Sequence, residues 1–492
     1  MMMLPKPFQD SCERLLGAES TRLFEALETA SPTSIRFNPY KLSEQPEGRR
    51  VPWSRYGYYL DERPQFTLDP LFHGGAYYVQ EPSSMFVEHV FRSVMGDDPA
   101  PLRVLDLCAA PGGKTTLLAT LVGLESTVVA NEVIRPRSLA LADNVRRWGL
   151  GNVVVTNNDP DHFAGFRDWF DFVLVDAPCS GEGMFRKDPA ARAEWSESGV
   201  ALCAARQRRI LQSVWPSLRP GGMLVYSTCT FNTAENEDNV RWMTDEFDCE
   251  GVDIPVDGGW GIVCGEAAGI PTFRFYPHRL DGEGFFAAVL RKADGRAHEQ
   301  TPRPRKATLA ALSRKAVAPV AGWVAQPDYM RFASVGDQVY GYYTTAYDSV
   351  AALAGSLNVV ASGIRMGQVF GTTLRPEHPL ALFHDLARHS EAGGPNDSLR
   401  KALSDAGLSP DVTPVSQPRH KGVVPDRFVT MPEVELQLSD AQDYLRKKEV
   451  DAALFDEGVN LVCYAGLPIG WAKRIGARVN NMYPKELRIL NL

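Results

Sequence analysis

The chain has 492 residues, with 44% hydrophobic and 23% charged residues, the composition of an ordinary soluble globular protein of two to four domains. Its eight cysteines are scattered without paired metal spacing, no apolar stretch is long enough to span a membrane, and MMMLPKPFQD is not a basic start followed by an apolar run. These features argue against a metal site, a membrane partner and a secretory leader, and predict a cytoplasmic, monomeric protein with reduced thiols. The net charge of −8 does not advertise nucleic-acid binding, but it is uneven. Residues 1–300 carry 30 Lys+Arg against 41 Asp+Glu, whereas residues 301–492 carry 22 against 19, so any nucleic-acid contact must come from local basic patches.

Residues 1–92 precede the first glycine turn. Ser34 to Phe37 reads as a short strand ended by Asn38-Pro39. Trp53, Tyr56, Tyr58 and Tyr59 then mingle with Arg49, Arg50 and Arg55. Aromatics among arginines suit stacking on unpaired bases, and equally suit an aromatic core under surface arginines. Tyr77 to Ser84 leads into a helix that Ser83 or Ser84 is placed to cap.

From residue 93 to 292 strands and helices alternate, which predicts a parallel sheet with ligands at the carboxyl ends of its strands. Leu102 to Leu107 is an apolar strand containing Asp106. The small-residue turn Cys108-Ala109-Ala110-Pro111-Gly112-Gly113 follows, then a helix from about Thr115 to Leu121. Glycines let backbone approach a ligand, and the helix start offers free N–H groups. A phosphate loop would need glycine where Cys108 stands, although Gly113-Lys114-Thr115 fits its end, and Pro111 removes one N–H. The competing reading is the first turn of a methyltransferase holding S-adenosylmethionine.

The later strand ends separate the two. Thr127 to Ala130 ends at Asn131-Glu132, with Glu132 twenty residues after Gly112, the spacing that suits ribose hydroxyls. Arg135 to Trp148 has helical spacing. Val153 to Thr156 ends near Asp159, an acceptor for an adenine amino group or a helix cap. Phe172 to Val175 ends at Asp176, followed by Ala177-Pro178-Cys179-Ser180-Gly181-Glu182-Gly183. Met223 to Tyr226 ends at Ser227-Thr228-Cys229-Thr230. An RNA-binding phosphate-loop ATPase could use Asp176 for magnesium, but would leave Glu132, Asp159 and both thiols idle.

Two cysteines at adjacent strand ends beside a methyl donor suit methylation at carbon 5 of a pyrimidine. A thiolate adding to carbon 6 makes carbon 5 nucleophilic, a base then removes the carbon-5 proton, and the thiol is expelled. Asp176 could meet the cytosine amino edge or ring nitrogen. Residue chemistry leaves open which thiol attacks, since Pro178-Cys179 matches the nucleophile pattern of DNA cytosine methyltransferases.

Cys108 to Thr115, Asp176 to Gly181 and Ser227 to Thr230 together resemble the RNA (cytosine-5)-methyltransferases, and the chain's ending is similar to their bacterial small-subunit ribosomal RNA branch, the RsmF type. The resemblance implies a Rossmann-like α/β methyltransferase sheet between an N-terminal RNA-recognition region and a C-terminal mixed α/β, PUA-like region. By the same resemblance Cys108, Ala109, Ala110, Pro111, Gly112, Gly113 and Lys114 cradle the methionine part of S-adenosylmethionine. Glu132 holds its ribose, Asp159 its adenine, and Asp176 sits beside the methyl donor and the base. Cys229 is the nucleophile and Cys179 assists product release. The implied substrate is 16S ribosomal RNA or the small subunit, with transfer RNA as the alternative.

Helix-like residues 201–218 carry Arg206, Arg208 and Arg209, suited to phosphates or to a solvated face. His278 reads as structural. Residues 293–315 form a basic connector with Arg296, Arg303, Arg305, Lys306, Arg314 and Lys315, followed by an intermediate α/β region over 316–420. The domain from 421 to 492 contains a Gly-Leu-Pro-Ile-Gly turn at 466–470. Its Trp471, Lys473, Arg474, Arg478, Asn480, Asn481, Tyr483 and Lys485 suit RNA contact or a solvated basic face.

Overall fold

A computed structural model of the protein describes residues 3–42, 45–304, 309–388, 409–411 and 431–490. Arg305 and Lys306 of the basic connector lie outside the described residues, as do most of 389–430. The chain enters through helices α1 (Lys6–Leu16) and α2 (Ser20–Leu27). A three-stranded antiparallel sheet follows, with β1 (Thr33–Phe37) between β2 (Gly57–Leu60) and β3 (Tyr77–Val79). Helix α3 (Phe86–Met95) has no serine cap, contrary to the sequence reading. The acid before Pro82 takes that part: the Glu81 carboxylate accepts the backbone N–H groups of Ser83 and Ser84, each at 2.8 Å.

The centre is a ten-stranded mixed sheet. Its parallel strands are β4 (Arg103–Asp106), β5 (Thr127–Asn131), β6 (Val153–Thr156), β7 (Phe170–Asp176) and β8 (Leu218–Thr228), in the order β8-β7-β4-β5-β6. The order reverses between β4 and β7, and such a switch point opens a ligand crevice at the carboxyl ends. Helices α4 (Gly113–Leu121), α5 (Arg135–Trp148) and α6 (Glu197–Val214) connect the strands. Along the strands, successive residues feed opposite faces. Val104, Val128, Val153 and Phe172 enter one core layer; Leu105, Val129, Val154 and Val173 enter the other.

Beyond β8 the sheet turns antiparallel. The strands β9 (Cys249–Gly251) and β11 (Ile270–Phe275) both pair with β12 (Phe285–Lys292), which pairs with β8; β10 (Val263–Ala267) lies outside β11. A second sheet contains Ala310–Ala311, β13 (Met330–Val335), β14 (Gln338–Tyr343), β16 (Ile364–Phe370) and β17 (Thr373–Pro376). Between β14 and β16 the chain makes helix α7 (Tyr347–Ser356) and β15 (Val359–Ser362). The latter pairs antiparallel with β6 and closes the far edge of the central sheet.

The last sheet holds β18 (Glu433–Glu435), β19 (Gly458–Tyr464), β20 (Leu467–Ile475) and β21 (Arg478–Asn481). The turn expected at 466–470 sits earlier. Ala465 and Gly466 take positive φ and reverse the chain, while Leu467 to Gly470 already belong to β20. The Pro and second Gly of that motif are absorbed because the ladder slips register there, between Val462 and Cys463.

Candidate active site

The glycine turn lies at the switch point between β4 and β7. Gly112 has φ +113°, a conformation costly for any residue with a Cβ, and a Cβ there would also meet Leu141 of α5 at 3.1 Å. Gly112 caps α4 with no side-chain hydrogen bond, so the first N–H groups of that helix are left for a ligand. Thr115 Oγ1 donates to Asp106 Oδ2 at 2.6 Å, while Asp106 Oδ1 is buried with no hydrogen-bond partner among the described residues. Burial pushes the Asp106 carboxyl up to about 7.

Glu132, only 4% exposed, stands at the end of β5 as the sequence predicts. One carboxylate oxygen accepts the Ile134 N–H at 2.8 Å; the other lies 3.4 Å from the Arg137 guanidinium. Arg137 also donates to the Ala110 carbonyl at 3.0 Å, tying the acid to the glycine turn. Asp159 caps the short helix beginning at Pro160 and pairs with Arg209 at 3.1 Å. Its carboxylate is therefore engaged on the α6 side, and an adenine amino group would share it.

At the ends of β7 and β8 the two thiols come together. Cys179 Sγ and Cys229 Sγ are 3.1 Å apart, and both cysteines are free and half-buried. The Cys179 thiol is pushed well above its ordinary range, first by its hydrogen bond to Cys229 and then by burial. Asp176 adjoins them. Its Oδ2 accepts from Lys114 Nζ at 2.8 Å and its Oδ1 from Ser227 Oγ at 2.7 Å. Burial works to lower the Lys114 pKa, but Asp176, helped by Asp106 and Glu81, raises it and holds the lysine as an ammonium.

Sequence reasoning missed what immobilises these loops. Glu182 accepts the N–H groups of Phe231 and Asn232 at 2.7 and 2.9 Å, binding the Cys179 turn to the Cys229 turn. The buried Glu235 accepts from Ser180 N, Gln207 Nε2 and Asn232 Nδ2, and burial raises its carboxyl. Gly183 donates its N–H to the Cys229 carbonyl at 2.8 Å, and a Cβ on it would sit 2.7 Å from that same oxygen. Arg36 was legible only as a strand residue. Fully buried, it donates to the Gly113 carbonyl at 3.0 Å and to Thr116 Oγ1 at 2.6 Å, tying β1 to the glycine turn. The one available signal was position: Glu182 and Glu235 each lie a few residues beyond a strand-end cysteine.

Family comparisons agree along the chain. Residues 98–291 match the model described as 16S rRNA methyltransferase RsmB/F, residues 4–82 the N-terminal domain of 16S rRNA methyltransferase RsmF, and residues 431–489 the methyltransferase RsmF PUA domain. The chain is 31% identical to ribosomal RNA small subunit methyltransferase F of Escherichia coli (strain SE11), over 92% of this chain and 90% of that one. The chain belongs to the RsmB/F family of 16S rRNA methyltransferases. It is also 30% identical to the Enterobacter sp. (strain 638) protein of the same name, over 92% of this chain and 85% of that one. A methyltransferase homolog from Pyrococcus horikoshii superposes with TM-score 0.50 at 32% identity, covering 58% of this chain and 95% of that one.

Within this RsmB/F-family fold several residues for which the sequence left RNA contact open are engaged inside the protein. Trp53, Tyr58 and Tyr59 are buried, which favours the aromatic-core reading of that cluster; Arg49 lies over the Tyr59 ring and pairs with Asp281. Trp471 and Tyr483 are core residues too. Arg208 donates to Asn239 and Arg209 pairs with Asp159, so neither is a spare phosphate ligand. The His278 side chain is buried, its Nε2 3.7 Å from Glu19. Among the described residues no group of His, Cys, Asp and Glu could hold a metal ion, and no helix is long and apolar enough to cross a membrane.

Proposed function

We propose that this protein methylates carbon 5 of a cytosine in 16S ribosomal RNA, using S-adenosylmethionine and a covalent bond between Cys229 and the base. The observation that carries the reading is the pair of free thiols 3.1 Å apart at adjacent strand ends, next to Asp176 and an uncapped glycine turn. The turn fits the cofactor. The uncapped N–H groups of α4 and the close backbone at Gly112 and Gly113 suit its methionine carboxylate, and the Glu132 carboxylate suits its ribose hydroxyls. Cys108, Ala109, Ala110 and Pro111 line that turn, Lys114 orients Asp176, and Asp159 stands on the adenine side. When bound, S-adenosylmethionine supplies the electrophilic methyl group.

Cys229, as a thiolate beside a protonated Cys179, adds to carbon 6 of the flipped-out base. Asp176 presents a carboxylate oxygen to the cytosine amino edge and fixes the ring over the thiols. Carbon 5 takes the methyl group. Once bonded to carbon, the Cys229 sulfur no longer holds the Cys179 proton, which passes to solvent. The hydrogen bond to Cys229 that raised the Cys179 thiol most is then gone, which eases its ionisation, and the Cys179 thiolate acts as the base. It removes the carbon-5 proton, the 5,6 double bond reforms, and Cys229 leaves as thiolate.

The test is bisulfite sequencing of total RNA from cells with and without the protein. One protected cytosine in 16S rRNA that depends on the protein is the expected result. Dependence confined to transfer RNA would move the substrate, and no dependent cytosine anywhere would defeat the reading.

A further inference from the structure

A cleft of about 600 Å³ opens away from the thiols, lined by none of the cofactor-turn or cysteine-loop residues. Most of its lining comes from the last turns of α5, the β16–β17 hairpin with the segment after it, and residues 480–487 at the end of β21, with His73, Gln338 and Trp471 completing it. Arg146, Arg147, Arg365 and Arg375 line it against Asp143, Glu377 and Glu486. Two of the acids are already answered, Asp143 by Arg146 at 3.0 Å and Glu377 by Arg365 at 2.8 Å. Arg375 and Asn480 are exposed, and neither side chain has a partner among the described residues. His378 and Tyr483 meet edge to face in the lining, ring centroids 5.0 Å apart. Burial lowers the His378 pKa to about 3, so that wall is neutral at physiological pH.

A free phosphate would need only the guanidinium groups. Arg146, Arg147 and Arg365 are engaged with Asp143, Asn144 and Glu377, so the Arg375 guanidinium and the Asn480 amide are the groups left to meet a phosphate and a base edge of one nucleotide. The volume lies within the roughly 300–1,000 Å³ of small-ligand pockets. The cleft is also joined to the cofactor turn. Arg147 donates to Asn144 Oδ1 at 3.1 Å, and Asn144 Nδ2 donates to the Pro111 carbonyl at 2.8 Å.

We propose that this cleft seats an unpaired stretch of the substrate RNA away from the target cytosine, with Arg375 on a phosphate and Asn480 on a base edge. The proposal rests on the ribosomal RNA methyltransferase reading and adds a second anchoring point to it. Substrate position would then be fixed at two places, one by base flipping at Cys229 and one by this cleft.

The experiment uses the full chain and labelled, transcribed 16S rRNA, with Arg375→Glu/Asn480→Ala beside the wild type. Neither side chain has a hydrogen-bond or ion-pair partner among the described residues, so the variant should melt like the wild type and bind S-adenosylhomocysteine equally. Its RNA affinity should fall at least tenfold, and the slope of log affinity against log salt should become shallower by about one. In parallel, 4-thiouridine-substituted rRNA should crosslink to peptides spanning 365–376 or 478–487. Full affinity and slope in the variant, or crosslinks that avoid those peptides, would overturn the proposal. Methylation by the wild type, measured on the same RNA, separates the two readings. If it occurs while the cleft variant binds normally, only the cleft assignment falls; if the wild type neither binds nor methylates the RNA, both fall.

Discussion

The sulfur atoms of Cys179 and Cys229 stand 3.1 Å apart, although fifty residues separate them in the chain. The pairing of β7 with β8, which sets Asp176 opposite Ser227, brings the two following turns side by side. Glu182 and Gly183 then lock one turn onto the other.

That lock predicts the cost of a single methyl group. In Gly183→Ala the new Cβ would lie 2.7 Å from the Cys229 carbonyl and 2.8 Å from that of Gly284, both backbone atoms with no flexible end to yield. Stability should fall by about 1–3 kcal/mol. Single-turnover methylation should fall by a larger factor, on the order of a hundredfold, because the turn carrying the proposed nucleophile moves. A rate near the wild type would show that the Cys229 turn tolerates displacement.

Glu132→Ala should weaken S-adenosylhomocysteine binding by roughly ten- to a hundredfold, the effect of about 1.5–3 kcal/mol for hydrogen bonds to a charged acceptor. Chemistry at saturating cofactor should survive. Isothermal calorimetry giving unchanged affinity would remove Glu132 from the ribose site and leave it as the anchor of the Ile134 turn.

Asp106 carries a prediction about pH. Its carboxyl is raised from 3.8 to about 7, chiefly by burial, so between those values the folded protein keeps a proton that the unfolded chain has released. Stability from this group is therefore present below about pH 4, declines as pH rises toward 7, and is flat beyond. In Asp106→Asn that decline disappears. Urea unfolding of both proteins from pH 4.5 to 8 should show the variant gaining on the wild type up to about pH 7. A difference independent of pH would mean that Asp106 does not titrate in this window.

The central strands were legible because their apolar runs are short, β-branched and bounded by turn residues. Val153–Thr156 and Arg135–Trp148 fall where the pattern puts them. The acids and thiols at the strand ends were legible for the same reason, since a parallel sheet collects its carboxyl ends on one edge. What the pattern could not carry was long-range pairing. Nothing in Val359–Ser362 says that it crosses back to β6, because an edge strand is chosen by tertiary fit rather than by its own residues. Arg36 and Glu235 were invisible as site residues because a buried charge is identified by its partners, which lie 77 and 55 residues away at Gly113 and Ser180. Trp53 stayed undecided in the sequence for the converse reason: an aromatic beside arginines has the same local sequence whether it stacks on a base or fills a core, and Trp471 proved to be core as well.

The division of labour between the two thiols is tested most directly by trapping. Wild type, Cys179→Ala, Cys229→Ala and the double variant are incubated with labelled 16S rRNA and S-adenosylmethionine, then run on a denaturing gel. If Cys229 attacks and Cys179 removes the carbon-5 proton, Cys179→Ala gives a slow-migrating protein-linked band that requires S-adenosylmethionine and disappears in the double variant. Cys229→Ala gives no band and no methylation, while still binding S-adenosylhomocysteine. A band trapped by Cys229→Ala, and none by Cys179→Ala, would contradict the account and assign the attack to Cys179.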